Sequence, residues 1–587
     1  MPEVWLVGGA LGFLASSLVA SVLYRFELGV PAAVVTSAFV LIVAGVLVAR
    51  TYWRGRGAAA GELRWLALTW LFVVGVVALP FAHVGARVAD GLAYRAYFSA
   101  DLMTHLSVVA ELQKGAFPLQ NPFYAGETLG YYWLFFGIPA ALGAWVGNQS
   151  ALIGTYVVSG LLFSGLVFTA ARRLELSPPR AFFATTVLIG AVSYEGLVAL
   201  LRKEPWTDVN VDALARWVFD LVSLDGLHRG ILYTPQHLFS YSLLVILILL
   251  VLSGEPRRPA TAVLAGVTLG GMAGTSIVTA MLAGPWLVLV LWRRRRDVAF
   301  VKLSFVATAT SLVFLAWYVG LGFFGDAGAA LTWRVPSLLE VPSILLLDCG
   351  ALVSLVWLAR RRLDPDLLLL SGIALLALLF LDLRGYEGVW MAWRAGSVLL
   401  VALGVLAFRE LGKPLRLTHA LILVPAVLTL GLDVYNASDV TNRRPSPGGF
   451  PWTTVVRSDE GLALSWVRAE TRKDALVQWD VRARELGEWA LVPALAERRM
   501  AVGFPIFLLD QRKYRVRERR QVRPIFNAGD ASEAYRLARE LGIDYIIIGD
   551  RELEVRGERL RPLFEAKDLF RPAFEAGDVA VLEVLVP

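Results

Sequence analysis

Stretches of about 17–25 apolar residues, each long enough to cross a bilayer as a helix, recur along the chain to residue 435. Backbone inside hydrocarbon finds no water to bond, so such stretches fold as helices. They fall near 4–24, 31–49, 65–84, 151–171, 181–201, 234–253, 259–275, 277–293, 299–322, 338–359, 366–383, 395–409 and 415–435, which predicts thirteen crossings. Only 18% of the residues are charged, against about a quarter in soluble domains, which excludes an ordinary soluble enzyme. The expected fold is an all-α polytopic membrane protein.

Orientation comes from the basic residues. Arg50, Arg54, Arg56 and Arg64 form one tuft, and Arg172, Arg173 and Arg180 the next. Arg257 and Arg258, Arg293 to Arg296, Arg360 to Arg362, and Arg409, Lys413 and Arg416 follow. Each tuft sits where a span ends, and basic loops stay in the cytoplasm. One path satisfies them all, in the plasma (inner) membrane, with the N-terminus cytoplasmic and everything after Tyr435 outside. The formal charge of +7 is thus topological, and no nucleic-acid partner is expected. Residues 4–24 lack a basic region followed by a cleavage site and read as a retained span. Cys349 is the single cysteine, which excludes an intrachain disulfide.

The stretch 131–147, YYWLFFGIPAALGAWVG, is apolar enough to cross. Counting it would reverse every later tuft, so it is expected to lie at the interface or re-enter. Three long segments then share the outer face: 85–150, 202–233 and the tail. The transmembrane part covers 1–435 and a Pro/Gly/Ser-rich linker covers 436–457. Residues 458–587 read as a small extracytoplasmic α/β domain. Its helices are expected at 458–471 and 531–541, the second capped by Asp530, and its strands at 475–479, 545–548 and 579–586. The basic run RKYRVRERRQVR at 512–523 reads as a solvent- or headgroup-facing stretch.

The first outer segment holds the richest chemistry. Asp101 and His105 lie one turn apart and share a helix face. Phe117-Pro118, Asn121-Pro122, Ala125-Gly126 and the aromatic Tyr131-Tyr132-Trp133 follow. This order resembles the GT-C superfamily of membrane glycosyltransferases, and in particular its bacterial and archaeal multi-pass proteins with a "YYY"-type first outer loop. Thr234-Pro235-Gln236-His237 is similar to a His-containing motif that opens a later span in that group. The tail matches it at Gly542, Tyr545, Gly549, Glu552 and GDVAVLEV at 577–584. The chain departs from it in having a lone Asp101 where many such loops carry an acidic pair, and one His where a His-Pro-His pattern is common.

The resemblance implies a polyprenyl-phosphate-linked sugar donor, a glycan, lipid or protein acceptor, and a catalytic carboxylate in the first outer loop. Inverting transfer needs a base at the acceptor and cationic stabilisation of the departing phosphate. Asp101 is the candidate base, with the helix N-cap as its alternative role. His105 is expected to orient Asp101, bind the acceptor or join a metal site. A divalent cation would need ligands beyond that pair, and no cofactor is assigned. Gln236, His237 and Arg229 suit an anionic phosphate at a helix start, and Arg394, outside between tryptophans, suits the same phosphate. Glu195, Tyr131, Tyr132 and Trp133 are expected to line the donor cavity. A lipid-linked-oligosaccharide transporter or flippase and a non-catalytic envelope-assembly protein stay open as alternatives.

Overall fold

The computed structural model describes residues 2–29, 35, 59–203, 221–252, 259–322, 330–384, 390–445, 451–484, 488, 490–503, 511–527 and 529–586. The span expected at 31–49, the basic residues Arg50, Arg54, Arg56, Arg257 and Arg258, and the middle of the segment 202–233 lie outside the described residues.

The chain is mostly helical. Among the described residues six helices are long and apolar enough to cross a membrane: Trp5–Arg25, Gly61–Ala82, Asn148–Arg173, Pro235–Leu252, Met391–Leu411 and Leu417–Ser438. Two bent helix pairs, each a broken span or a re-entrant loop, are apolar enough when taken together. Pro178–Gly190 and Glu195–Leu201 meet at 56°, and Glu340–Asp348 and Gly350–Ala359 meet at 81°. The remaining expected spans among the described residues are shorter apolar helices, Thr261–Thr275, Ile277–Arg293, Ser304–Gly320 and Pro365–Phe380. The stretch 131–147 folds as a single turn, Leu134–Phe136, and a 10-residue helix, Gly137–Val146. At about 1.5 Å per residue that helix is too short to cross.

Two helices form the centre of the bundle. Pro235–Leu252, here α9, is 89% buried over its apolar window, and Met391–Leu411, within α15 (Trp390–Leu411), is 94% buried. A helix that is apolar all round belongs inside, and small residues let neighbours close on it. A Cβ at Gly404 of α15 would lie 2.3 Å from Leu188 Cδ1.

Outside the bundle, β1 (Ala86–Val88) and β2 (Gly91–Arg95) form a hairpin. β2 also pairs antiparallel with β5, Thr453–Arg457. Gly91 is obligatory there, since at φ +150° a Cβ would sit 2.0 Å from the Val456 carbonyl oxygen. The end of the expected linker is therefore a strand bonded to the first outer segment. β2 passes at Arg95 straight into α3, Ala96–Gln113.

Beyond β5 come a helix, Ser458–Glu470, and a four-stranded sheet in the order β6-β7-β9-β8. These strands are Val477–Gln478, Tyr545–Ile548, Val579–Val584 and Phe570–Ala576. β6 and β7 run parallel and the other pairs antiparallel. The helix Ala531–Leu541 starts at Asp530, whose side chain accepts from Ser532 N at 3.0 Å, and stops at Gly542 in the left-handed region.

The tail grips the first outer segment by backbone and by charge. Met500 N donates to the Pro122 carbonyl (2.9 Å), Ala125 N to that of Met500 (3.0 Å) and Gly503 N to that of Phe123 (2.6 Å). Arg499 chelates the buried Glu111 of α3 through Nε and Nη2 at 2.9 and 2.8 Å, and Lys114 closes on the same carboxylate. The basic run at 512–523 is not simply a solvated face. Arg517 lies 3.6 Å over the Tyr124 ring and donates to the Ala125 carbonyl, and buried Glu518 binds Arg482 and Arg523.

Candidate functional site: a buried polar cluster around Asp101

Asp101 occupies the second turn of α3. It is not the N-cap, because the helix starts at Ala96 as a direct continuation of β2. His105 follows one turn later. α9 begins at Pro235, a residue whose fixed φ suits a first helical position, and carries Gln236 and His237 in its first turn. Ser159 Oγ ties that start to helix Asn148–Arg173 by donating to the Pro235 carbonyl at 3.0 Å. Arg394 lies in the second turn of α15, and Arg229 in the short helix Leu227–Leu232.

These elements converge. Arg394, Asp225 and Arg229 are the charges that act on Asp101. Burial pushes the half-buried Asp101 carboxyl up to about 7; Arg394 and Arg229 oppose that shift and Asp225 adds to it. Arg394 is itself buried, hydrogen-bonds to Tyr132 and lies near Tyr241. Arg229 is 3.6 Å from Asp225 and stacks over Tyr233 at 5.2 Å.

His105 does not turn to Asp101. Its Nδ1 meets the Tyr156 hydroxyl, and its Nε2 lies 3.1 Å from the Tyr131 hydroxyl and 3.2 Å from Gln236 Nε2. Gln236 Nε2 also donates to Tyr131 at 3.1 Å. With that amide donating, the His105 proton sits on Nδ1, facing Tyr156. Burial, then Arg394, lower the imidazole to about 3, so it is neutral across the physiological range. It fixes the polar wall behind Asp101.

His237 is 1% exposed, and neither ring nitrogen has a partner among the described residues. The ring meets Tyr132 edge-on at 4.9 Å. Gln236 Oε1 and Ser240 Oγ are buried in the same state. Buried polar groups are nearly always paired, and leaving one unmade costs about 1–3 kcal/mol. The His237 ring N–H, a neutral donor near Arg394, matches the needs of an anionic oxygen. Among the described residues no three His, Cys, Asp or Glu side chains gather as a metal would require. The described residues by themselves do not make up a cation site, and no step runs through one.

Eight expected residues thus lie together: Asp101, His105, Tyr131, Tyr132, Arg229, Gln236, His237 and Arg394. Two do not. Glu195 opens the helix after the 56° break, where its backbone N–H bonds Ser193 Oγ at 3.0 Å and the next residue bonds Thr429. Trp133 packs edge-on against Phe117 at 5.4 Å, away from His105. Asp225, Tyr156 and Tyr241 belong to the cluster and were missed. Asp225 stands four residues before Arg229, a spacing that pairs charges on a helix. The two tyrosines sit in apolar runs where they read as core.

No family model matches the sequence, and no curated protein matches it. Among solved structures, the chain is similar to the archaeal oligosaccharyltransferase AglB from Archaeoglobus fulgidus in complex with an inhibitory peptide and a dolichol-phosphate. That match has 12% identity and a TM-score of 0.39, over 83% of this chain and 69% of that one. It is similar also to the Archaeoglobus fulgidus oligosaccharyltransferase in the apo form, at 14% identity and a TM-score of 0.40, over 85% and 70% of the respective chains.

Proposed function

We propose that this chain is an integral membrane glycosyltransferase of GT-C type. It moves a sugar with inversion from a polyprenyl-phosphate-linked donor to a lipid-linked glycan, polysaccharide or protein at the extracytoplasmic face. The observation that carries this reading is one cluster holding both halves of the chemistry. A carboxyl poised near neutrality, Asp101, faces the buried cation Arg394, with the unpartnered imidazole of His237 beside it.

The ionised Asp101 takes the proton of the acceptor nucleophile as that atom bonds to the anomeric carbon. The carbon–oxygen bond to phosphate breaks, and the phosphate leaves with the electron pair. Arg394 and Arg229 balance the growing charge, and His237 donates its ring N–H to a phosphate oxygen, while the Gln236 amide stays on His105 and Tyr131 and holds the wall in place. His105, Tyr131 and Tyr132 hold the wall against which the sugar lies. The tail, tied to the loop through Arg499 and Met500, contributes acceptor recognition or a lid.

The test is single-turnover transfer by the purified protein in lipid, with a panel of radiolabelled polyprenyl-phosphate sugars. Asp101→Asn is expected to lower transfer by about 10²–10⁴ while donor binding persists. Transfer that survives the substitution would remove Asp101 as the base. A folded protein inert with every donor would remove the glycosyltransferase reading itself.

A further inference from the structure

A cavity of about 280 Å³ lies between α9, α10 (Pro259–Thr275), α11 (Ile277–Arg293) and α12 (Val298–Gly320). Leu247, Val251, Ala262, Ala265, Leu287 and Leu291 line much of it, and its only polar side chains are threonines and a serine. It sits toward the far end of α9 from Gln236 and His237, more than ten residues or about 15 Å along the axis. The Asp101 cluster therefore does not explain it.

Its edge is cationic. Arg294 Nη1 donates to the carbonyl of Val251, itself a lining residue, at 3.3 Å. Arg293 and Arg294 share Asp366, Arg294 at 2.6 Å. Arg295 and Arg296 are exposed one turn beyond the lining residue Leu291. Arg295 lies 4.8 Å over the ring of Trp292, which is 62% exposed. Among the described residues, the guanidiniums at 293–296 have the carboxylate of Asp366, shared by Arg293 and Arg294, and Asp297 next to them in sequence. Trp and Arg side by side mark headgroup depth, and basic recesses between helices on the cytoplasmic side bind anionic headgroups.

We infer that this recess is a binding site for an anionic glycerophospholipid. One acyl chain enters between α9, α10, α11 and α12, and the phosphate is held by Arg295 and Arg296. The charge-based orientation makes this the cytoplasmic leaflet, whereas the sugar donor is held at the opposite end of α9. Charge complementarity commits the site to a phosphatidylglycerol-like lipid, since a zwitterionic headgroup gains little from surplus guanidiniums.

The full-length protein, purified in detergent and stripped of lipid, is titrated with dioleoyl phosphatidylglycerol and with dioleoyl phosphatidylcholine, and bound lipid is counted by native mass spectrometry. Wild type is expected to favour phosphatidylglycerol by about thirtyfold, with two basic residues at the headgroup each contributing roughly 1 kcal/mol. The Arg295→Gln/Arg296→Gln variant changes exposed side chains and should fold normally while losing the preference. Ala265→Phe should weaken both lipids by filling the recess. Equal binding of the two lipids by wild type, or a preference that survives the double arginine change, overturns the proposal. So does displacement of phosphatidylglycerol by a polyprenyl phosphate that Arg394→Gln abolishes, because the lipid would then occupy the other end of the bundle. None of these readouts depends on sugar transfer.

Discussion

Asp101 sits between opposed influences: burial and Asp225 favour its neutral form, and Arg394 and Arg229 favour its carboxylate. A base works only when ionised, so transfer is expected to rise with pH through about 7 and level off above it. Arg394→Gln removes the strongest attraction on the carboxylate, so the rising limb should move to higher pH while donor KM increases. A limb that stays in place would assign the titration to another group. Tyr156→Phe separates structure from catalysis. It leaves one nitrogen of buried His105 unpaired, at about 1–3 kcal/mol, which a detergent unfolding curve should record with the limb unmoved. Polar residues at the ends of apolar runs are conspicuous because burying them is costly, and that cost made Asp101, Gln236, His237 and Arg394 legible. Glu195 opens the helix that follows the 56° break, a position the apolar run does not mark. Tyr156 and Tyr241 were hidden because an aromatic ring in a span announces packing and conceals its hydroxyl.

Among the elements, α3 matters most, because it faces the cluster with Asp101 and His105 and the tail with Glu111. Arg499→Gln leaves that buried carboxylate with Lys114 alone. Breaking a buried pair from one side costs about 3–5 kcal/mol, so the tail should loosen and become open to limited proteolysis. Removing all three charges, in Glu111→Gln/Arg499→Gln/Lys114→Gln, should restore much of the resistance. Single variants whose effects simply add would mean that the pair does not couple the tail to α3. Hydrophobic periodicity placed the long helices within a few residues. It could not reveal β5, whose partner strand lies far away in sequence (Arg95 and Thr453 are 358 residues apart), inside a stretch whose composition reads as linker. The breaks at 56° and 81° were equally silent, since a bent pair and a straight span share one apolar run.

For the whole molecule, the orientation proposed from the basic tufts has a simple check. Cys349 is the single cysteine and is fully buried, so the protein offers a silent background for thiol labelling. A membrane-impermeant maleimide is expected to label Lys567→Cys in intact spheroplasts, and Arg295→Cys only after permeabilisation. The reverse pattern would invert the topology and move the Asp101 cluster to the cytoplasm. The ion pair between Glu111 and Arg499 joins positions 388 residues apart, and this sets a clock on biogenesis. At roughly 5–20 residues per second, a ribosome needs on the order of 20–80 s to deliver the arginine after the glutamate has emerged. For that interval the loop that carries Glu111 waits without this partner, exposed to proteases and dependent on folding helpers. The tail can close on α3 only after every helix of the bundle up to Ser438 has been made.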